Sequence, residues 1–214
     1  MSINYYQVII QYKTFAELVT EEQAKAAEHY EKEYLTELMA LKKKEWYFEG
    51  RLERVDCYLD NDEDVNAVTA QLAALNVNFE IVKREKVGDF TMTSGEFYKN
   101  NVLTQRFKEL YDLDGEFIGR EELNIVTGLP DIELTTKHIP SSYDENDDGF
   151  SSHTFSYHAD GNFKCYEFDY SHDYDSENYE LYDYQLVKDR FKLSEAWFDY
   201  YATAHLYPTG LIQD

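Results

Sequence analysis

The stretch Asp144-x-Asn146-x-Asp148-Gly149 begins as a calcium loop begins. Oxygen-bearing side chains alternate and a glycine then permits the sharp bend. The match does not continue. With Asp144 as position 1, Phe155 stands where the bidentate glutamate of position 12 belongs, and Ser151 stands at the usually apolar position 8. No helical pattern flanks the segment. Asp144, Asn146 and Asp148 therefore read as a solvated acidic loop, with weak calcium binding as the alternative.

Other chemistry is harder to find. The six histidines include no HExxH pair and no zinc-type Cys/His spacing. His153 and His158 are an odd number of residues apart, so on one strand they face opposite sides. Cys57 and Cys165 have no CxxC neighbour. Cys165 lies among tyrosines and carboxylates, which raise a thiol pKa. There is no GxSxG, P-loop or GxGxxG. The expectation is a protein that is not an enzyme and needs no cofactor.

The densest signal lies between Ser141 and Tyr184: twelve carboxylates and twelve aromatic rings against one cation, Lys164. The whole chain of 214 residues carries a formal charge of −23. Residues 1–110 hold 20 acids and 14 bases, and residues 111–214 hold 23 acids and 6 bases, so the excess lies toward the C-terminus. Such a balance argues against binding phosphates of nucleic acid or an anionic membrane directly. It suits a basic protein partner. A hydrophobic fraction of 43% argues against disorder. Two distant cysteines, no apolar leader and no membrane-length apolar run point to a cytoplasmic protein.

These side chains need elements to hold them. The N-terminal half reads β-α-β-α-β. A strand over 3–12 precedes a capping box, Thr20 to Gln23. A helix is then expected to about Lys44, with Ala24, Ala27, Tyr34, Leu38 and Leu41 on one stripe. A strand over Trp46 to Leu59 leads to a second helix, whose entry is crowded by the acids of Asp60 to Asp64. That helix carries Val65, Val68, Leu72 and Leu75 on its buried face. Phe79 to Val87 follows as a strand.

In the C-terminal half, a pair of Tyr-x-x-Asp-Gly segments predicts hairpins with two-residue turns at Asp114-Gly115 and Asp160-Gly161. The Asp160-Gly161 turn sets Phe155 opposite Tyr166 and His153 opposite Phe168. The Asp114-Gly115 turn sets Tyr111 opposite Ile118 and pairs Glu109 with Arg120 and Lys108 with Glu121. Ser194 starts a last helix with Trp197, Phe198, Tyr201 and Ala204 inward, ended by Pro208.

The expected class is α+β. Residues 1–92 form an α/β subdomain with helices on a sheet. Residues 93–214 form an antiparallel, hairpin-rich subdomain ending in a helix. The two are expected to pack as one compact unit, with a soft boundary at Phe90 to Gly95.

Within that frame the outer side of the later hairpin and the chain beyond it form the expected binding surface. Its residues are Glu167, Asp169, Asp173, Tyr174, Asp175, Glu177, Tyr179, Glu180, Tyr182 and Asp183. Carboxylates accelerate encounter with a cationic partner, and tyrosines add rigid contact area. The expected function is an inhibitor of the immunity or antitoxin type, neutralising a basic bacterial toxin or nuclease domain. The alternatives are a nucleic-acid mimic directed at host defence or restriction machinery, and a structural or assembly module.

Overall fold

The computed structural model describes residues 9–15, 17–60, 63–139, 151–170, 179–191, 194–208 and 210–211, without the side chains of 151, 152, 169, 170 and 179. Among them are thirteen strands in a mostly antiparallel sheet and four helices, so the class is mainly sheet. The strands lie in the order β13-β12-β11-β10-β9-β8-β7-β6-β5-β4-β3-β1-β2. They are β1 Ile9–Thr14, β2 Glu17–Val19, β3 His29–Leu35, β4 Leu41–Phe48, β5 Arg51–Leu59, β6 Asn78–Val87 and β7 Phe90–Lys99, then β8 Val102–Tyr111, β9 Phe117–Leu123, β10 Pro130–His138, β11 Ser151–Tyr157, β12 Phe163–Tyr170 and β13 Tyr179–Leu181. The helices are α1 Glu21–Ala26, α2 Val65–Ala73, α3 Tyr184–Arg190 and α4 Glu195–Tyr201. The chain divides into two compact units, Met1–Arg84 with Ser94–Arg106, and Glu85–Thr93 with Phe107–Asp214.

In the first unit, β5, α2 and β6 form the one parallel crossover, as their periodicities predict. Asp64 caps α2 by accepting from the Asn66 and Ala67 amides. Val68 and Leu72 then pack on Val55, Cys57, Leu59, Phe79 and Ile81. Leu75 instead lies exposed beyond the helix.

The helix expected from Thr20 to Lys44 is corrected. Its capping box forms, but α1 stops at Ala26, and β3 and β4 follow. The stripe of apolar residues at helical spacing loses to cross-strand pairing. Tyr30 stacks on Tyr47 with centroids 4.6 Å apart and planes 3° apart. Lys44 meets Glu31 at 2.8 Å and Glu33 at 3.2 Å across the β3–β4 pair. Trp46 to Leu59 is likewise two strands rather than one, turned at Glu49 and Gly50, both at positive φ as a type I′ hairpin requires. The β-α-β-α-β order is therefore met only from β5 onward, and the cluster at Phe90 to Gly95 lies inside β7.

In the second unit both Asp-Gly turns differ from the expected two-residue form. The His158 amide donates to the Asn162 carbonyl at 2.9 Å, and the Asp112 amide to the Glu116 carbonyl at 3.0 Å. Each loop thus holds three residues, with Gly161 and Gly115 both at φ +84°. Beyond a bulge after Ser156 the β11–β12 register returns to the expected one, with Phe155 opposite Tyr166 and His153 opposite Phe168. Glu109 and Arg120 pair at 2.7 Å as their spacing predicts, whereas Tyr111 meets the ring of Phe117 instead of Ile118.

Phe155, Tyr157 and Tyr166 turn inward and are covered by α3 and α4, which bring Val187, Phe198 and Tyr201 into the same core. Phe155 stacks on Tyr201 at 4.4 Å. Ala204 is buried as expected, but α4 ends at Tyr201, ahead of Pro208. Gly119 sits where β9 meets this core. A Cβ there would stand 2.8 Å from the Thr136 carbonyl and 3.2 Å from both Leu206 Cδ1 and Lys137 Cγ. Gly119→Val should therefore lower unfolding stability by about 1–3 kcal/mol, as overpacking does, read from the urea midpoint.

Candidate functional site

Of the residues expected to bind a partner, Asp173, Tyr174, Asp175 and Glu177 lie outside the described residues, as do Asp144, Asn146 and Asp148. Asp169 and Tyr179 are placed in β12 and β13 by backbone alone. Glu167, Glu180, Tyr182 and Asp183 are described, and all four are exposed.

Three of them share a surface. Alternation along β12 sends Tyr166 into the core and Glu167 outward. Register sets Glu167 directly opposite Glu180 of β13, two like charges facing each other. The Tyr182 hydroxyl donates to Glu180, so the phenol holds its proton more tightly, and its ring is 67% exposed. Cys165 Sγ lies 3.4 Å from Glu167 and 3.0 Å from Ser156 Oγ. Burial, then the Glu167 carboxylate, raises the Cys165 thiol, which disfavours the thiolate form. Cys57 is pushed by burial to about 12.

His138 meets Thr154, the strand partner of Glu167, at 3.3 Å. Burial pushes His138 down to about 4, so near neutral pH it adds no positive charge there. No ion pair among the described residues includes Glu167 or Glu180. Asp183 has a separate duty: it caps α3 through the Gln185 amide at 2.9 Å.

The sheet carboxylates of the first unit contrast with this. Glu33 meets Lys13 at 2.9 Å and Lys44 at 3.2 Å. Glu45 meets Lys43 at 2.7 Å, and Asp56 meets Arg54 at 2.6 Å and Trp46 Nε1 at 2.8 Å. These buried acids are matched within the unit. Their charge is absorbed by the fold.

The second unit also holds a buried lysine that sequence reasoning missed. Lys137 is 0% exposed, on the core face of β10 beside Thr135 and Ile139. Its ammonium donates to the Tyr200 carbonyl at 2.6 Å and the Thr203 carbonyl at 2.8 Å, and stands 3.4 Å from the Tyr200 ring centroid. Those carbonyls are left open by the end of α4, where a cation is favoured. Burial pulls the other way and lowers Lys137 to about 6, with Glu121 partly offsetting it. The period-two alternation of Thr135, Lys137 and Ile139 is the signal that could have found it. A β10 irregularity between Asp131 and Thr136 masks that signal by breaking the phase with Ile132.

Comparison with family models, with curated proteins and with solved structures finds no match. Among the described residues no helix is long and apolar enough to cross a membrane. No described group of three or more His, Cys, Asp or Glu side chains is placed to hold a metal ion.

Lys137→Ala should cost about 2–5 kcal/mol in urea unfolding, since it opens a cavity and strands two carbonyls. Glu121 is held above the usual carboxylate range, chiefly by burial. A raised folded pKa means the charged form is disfavoured in the native state. That penalty is absent below the unfolded value, about 4.3, and grows as pH rises above it. Glu121→Gln should therefore raise the melting temperature at pH 8 and leave it unchanged at pH 4.

Proposed function

We propose that this chain is an acidic binding protein that neutralises a basic partner, of the immunity or antitoxin type acting on a toxin or nuclease domain. One observation carries the reading. The buried acids on the first unit's sheet, Glu33, Glu45 and Asp56, are matched by lysine or arginine, whereas Glu167 and Glu180 face each other on the outer side of the second unit with no ion pair among the described residues.

A like-charged pair held in register weakens the β12–β13 pairing. A partner lysine or arginine relieves that repulsion, so binding gains twice from one contact. The exposed Tyr182 ring beside it supplies flat area with a hydroxyl at its tip, the kind of anchor that enriched interface positions use. The acidic balance of residues 111–214 extends the attraction beyond contact and speeds encounter. Active sites that bind RNA or DNA are basic, so an acidic plug complements them.

The test begins with the partner captured from source cells by crosslinking to the intact chain. Its association rate is then measured against wild type and the Glu167→Lys, Glu180→Lys double variant at about 50 and about 300 mM salt, conditions chosen to span strong and weak screening at about 10 Å. The expected result is a basic partner whose association slows about tenfold or more in the variant at low salt, with a flattened salt dependence. An unchanged rate, or a partner that is itself acidic, rules the reading out.

A further inference from the structure

The helix-covered side of the second unit contains a cavity of about 690 Å³ that the outer acidic surface does not touch. Strands β7 to β10 supply one wall, with Met92, Lys108, Glu121 and Ile132. The chain after α4 supplies the other, with Leu206 and Tyr207. The Asp160-Gly161 turn lies at its edge.

Glu121 is the unusual member. Its side chain lines the cavity and the residue is only 5% exposed, yet no hydrogen bond or ion pair to it occurs among the described residues. Buried carboxylates ordinarily accept hydrogen bonds or pair with a cation, because desolvation is otherwise uncompensated. The cations nearest in charge do not fill this role. Lys137 spends its ammonium on the Tyr200 and Thr203 carbonyls. Lys108, expected opposite Glu121 from the hairpin spacing, lines the same cavity without pairing with it. His205 is exposed.

The remaining lining is mixed: Met92, Ile132, Leu206 and the Tyr207 ring give apolar surface, and Asn162, Thr203 and His205 add polar groups. A carboxylate beside the apolar part of such a cavity matches a cationic head on an aliphatic stem. A guanidinium fits best, since it can donate to both oxygens of one carboxylate in a plane.

We propose that this cavity binds an organic cation, a guanidinium or primary ammonium on an aliphatic stem, with Glu121 as its anchor. The site stands apart from the proposed partner surface, because Glu121 lies on the core face and Glu167 on the outer face. Asp160 at the edge adds attraction for the same charge. The shared chemistry admits a free small molecule or an arginine side chain presented by a peptide.

The test uses the whole chain and two probes. Agmatine represents the free cation, and a blocked Gly-Gly-Arg-Gly-Gly peptide represents the presented side chain. Butanol serves as the uncharged control. Binding is followed by calorimetry and by the shift in melting temperature, which a ligand specific to the native state must raise. Saturable binding of either probe is expected, and the tighter one identifies the source.

Glu121→Gln keeps the shape of the residue and should weaken that binding at least tenfold. Lys108→Met removes the competing positive charge and should tighten it. The Glu167→Lys, Glu180→Lys variant should bind the probe as wild type does, so a failure of the outer surface as an interface leaves this result readable. The proposal is overturned if neither probe binds, if butanol binds as well, or if Glu121→Gln binds equally. Weaker binding by folded Lys108→Met overturns it too, since Lys108 would then be holding an anionic group.

Discussion

The ammonium of Lys137 ties the last helix of the second unit to its sheet. It comes from β10 and ends on two carbonyls at the close of α4. Everything nearby is shaped to admit it. Gly119 leaves room for its stem, Tyr200 and Tyr157 flank its amino group, and Tyr201 stacks on Phe155 of the neighbouring strand. The Tyr201 hydroxyl donates to the His138 carbonyl, one residue along from Lys137. A buried polar group is costly unless its hydrogen bonds are made, so α4 cannot shift along the sheet without losing both acceptors. This fixes where the chain after α4 runs, and that chain forms one wall of the cavity containing Glu121.

Charge is used in two ways along the molecule. In the first unit the buried acids Glu33, Glu45 and Asp56 meet lysine or arginine along or across the strands within hydrogen-bonding distance. Such ladders specify register, since a one-residue slip would turn every partner to the opposite face. On the outer side of β12 and β13 the acids are instead set against one another. That arrangement by itself weakens the β12–β13 pairing.

Short-range signals in the sequence are legible where they act alone. Thr20 and Asp64 cap helices at the expected entries, and the β11–β12 pairing has the expected register. The helix through Tyr34 and Leu41 fails because Tyr30, Glu31 and Glu33 have partners on a strand that follows them, and no helical stripe records a cross-strand partner. Glu49-Gly50 does not announce itself as a turn because it lacks the Asn or Asp that usually marks one. The three-residue loops at Asp114 and Asp160 are concealed because a bulge hides the extra residue from register arithmetic. Of the acidic surface, Glu167 is legible from strand alternation, whereas the short strand β13 that sets Glu180 opposite it is not, because three residues carry no readable period. Glu121 and Lys137 are not, because burial of a charged residue depends on which distant backbone groups reach it.

The order of the strands has a kinetic side. Each described strand lies beside one that directly precedes or follows it in the chain, and the parallel β5–β6 pair is joined through the short helix α2. Closing such pairs costs little loop entropy, because few residues separate the strands. For a protein built mainly of sheet, contacts are therefore close in sequence, which favours rapid folding. A growing chain can zip one hairpin onto the last as it emerges. Contacts that must wait include those of Lys137 with the end of α4, 63 and 66 residues further on.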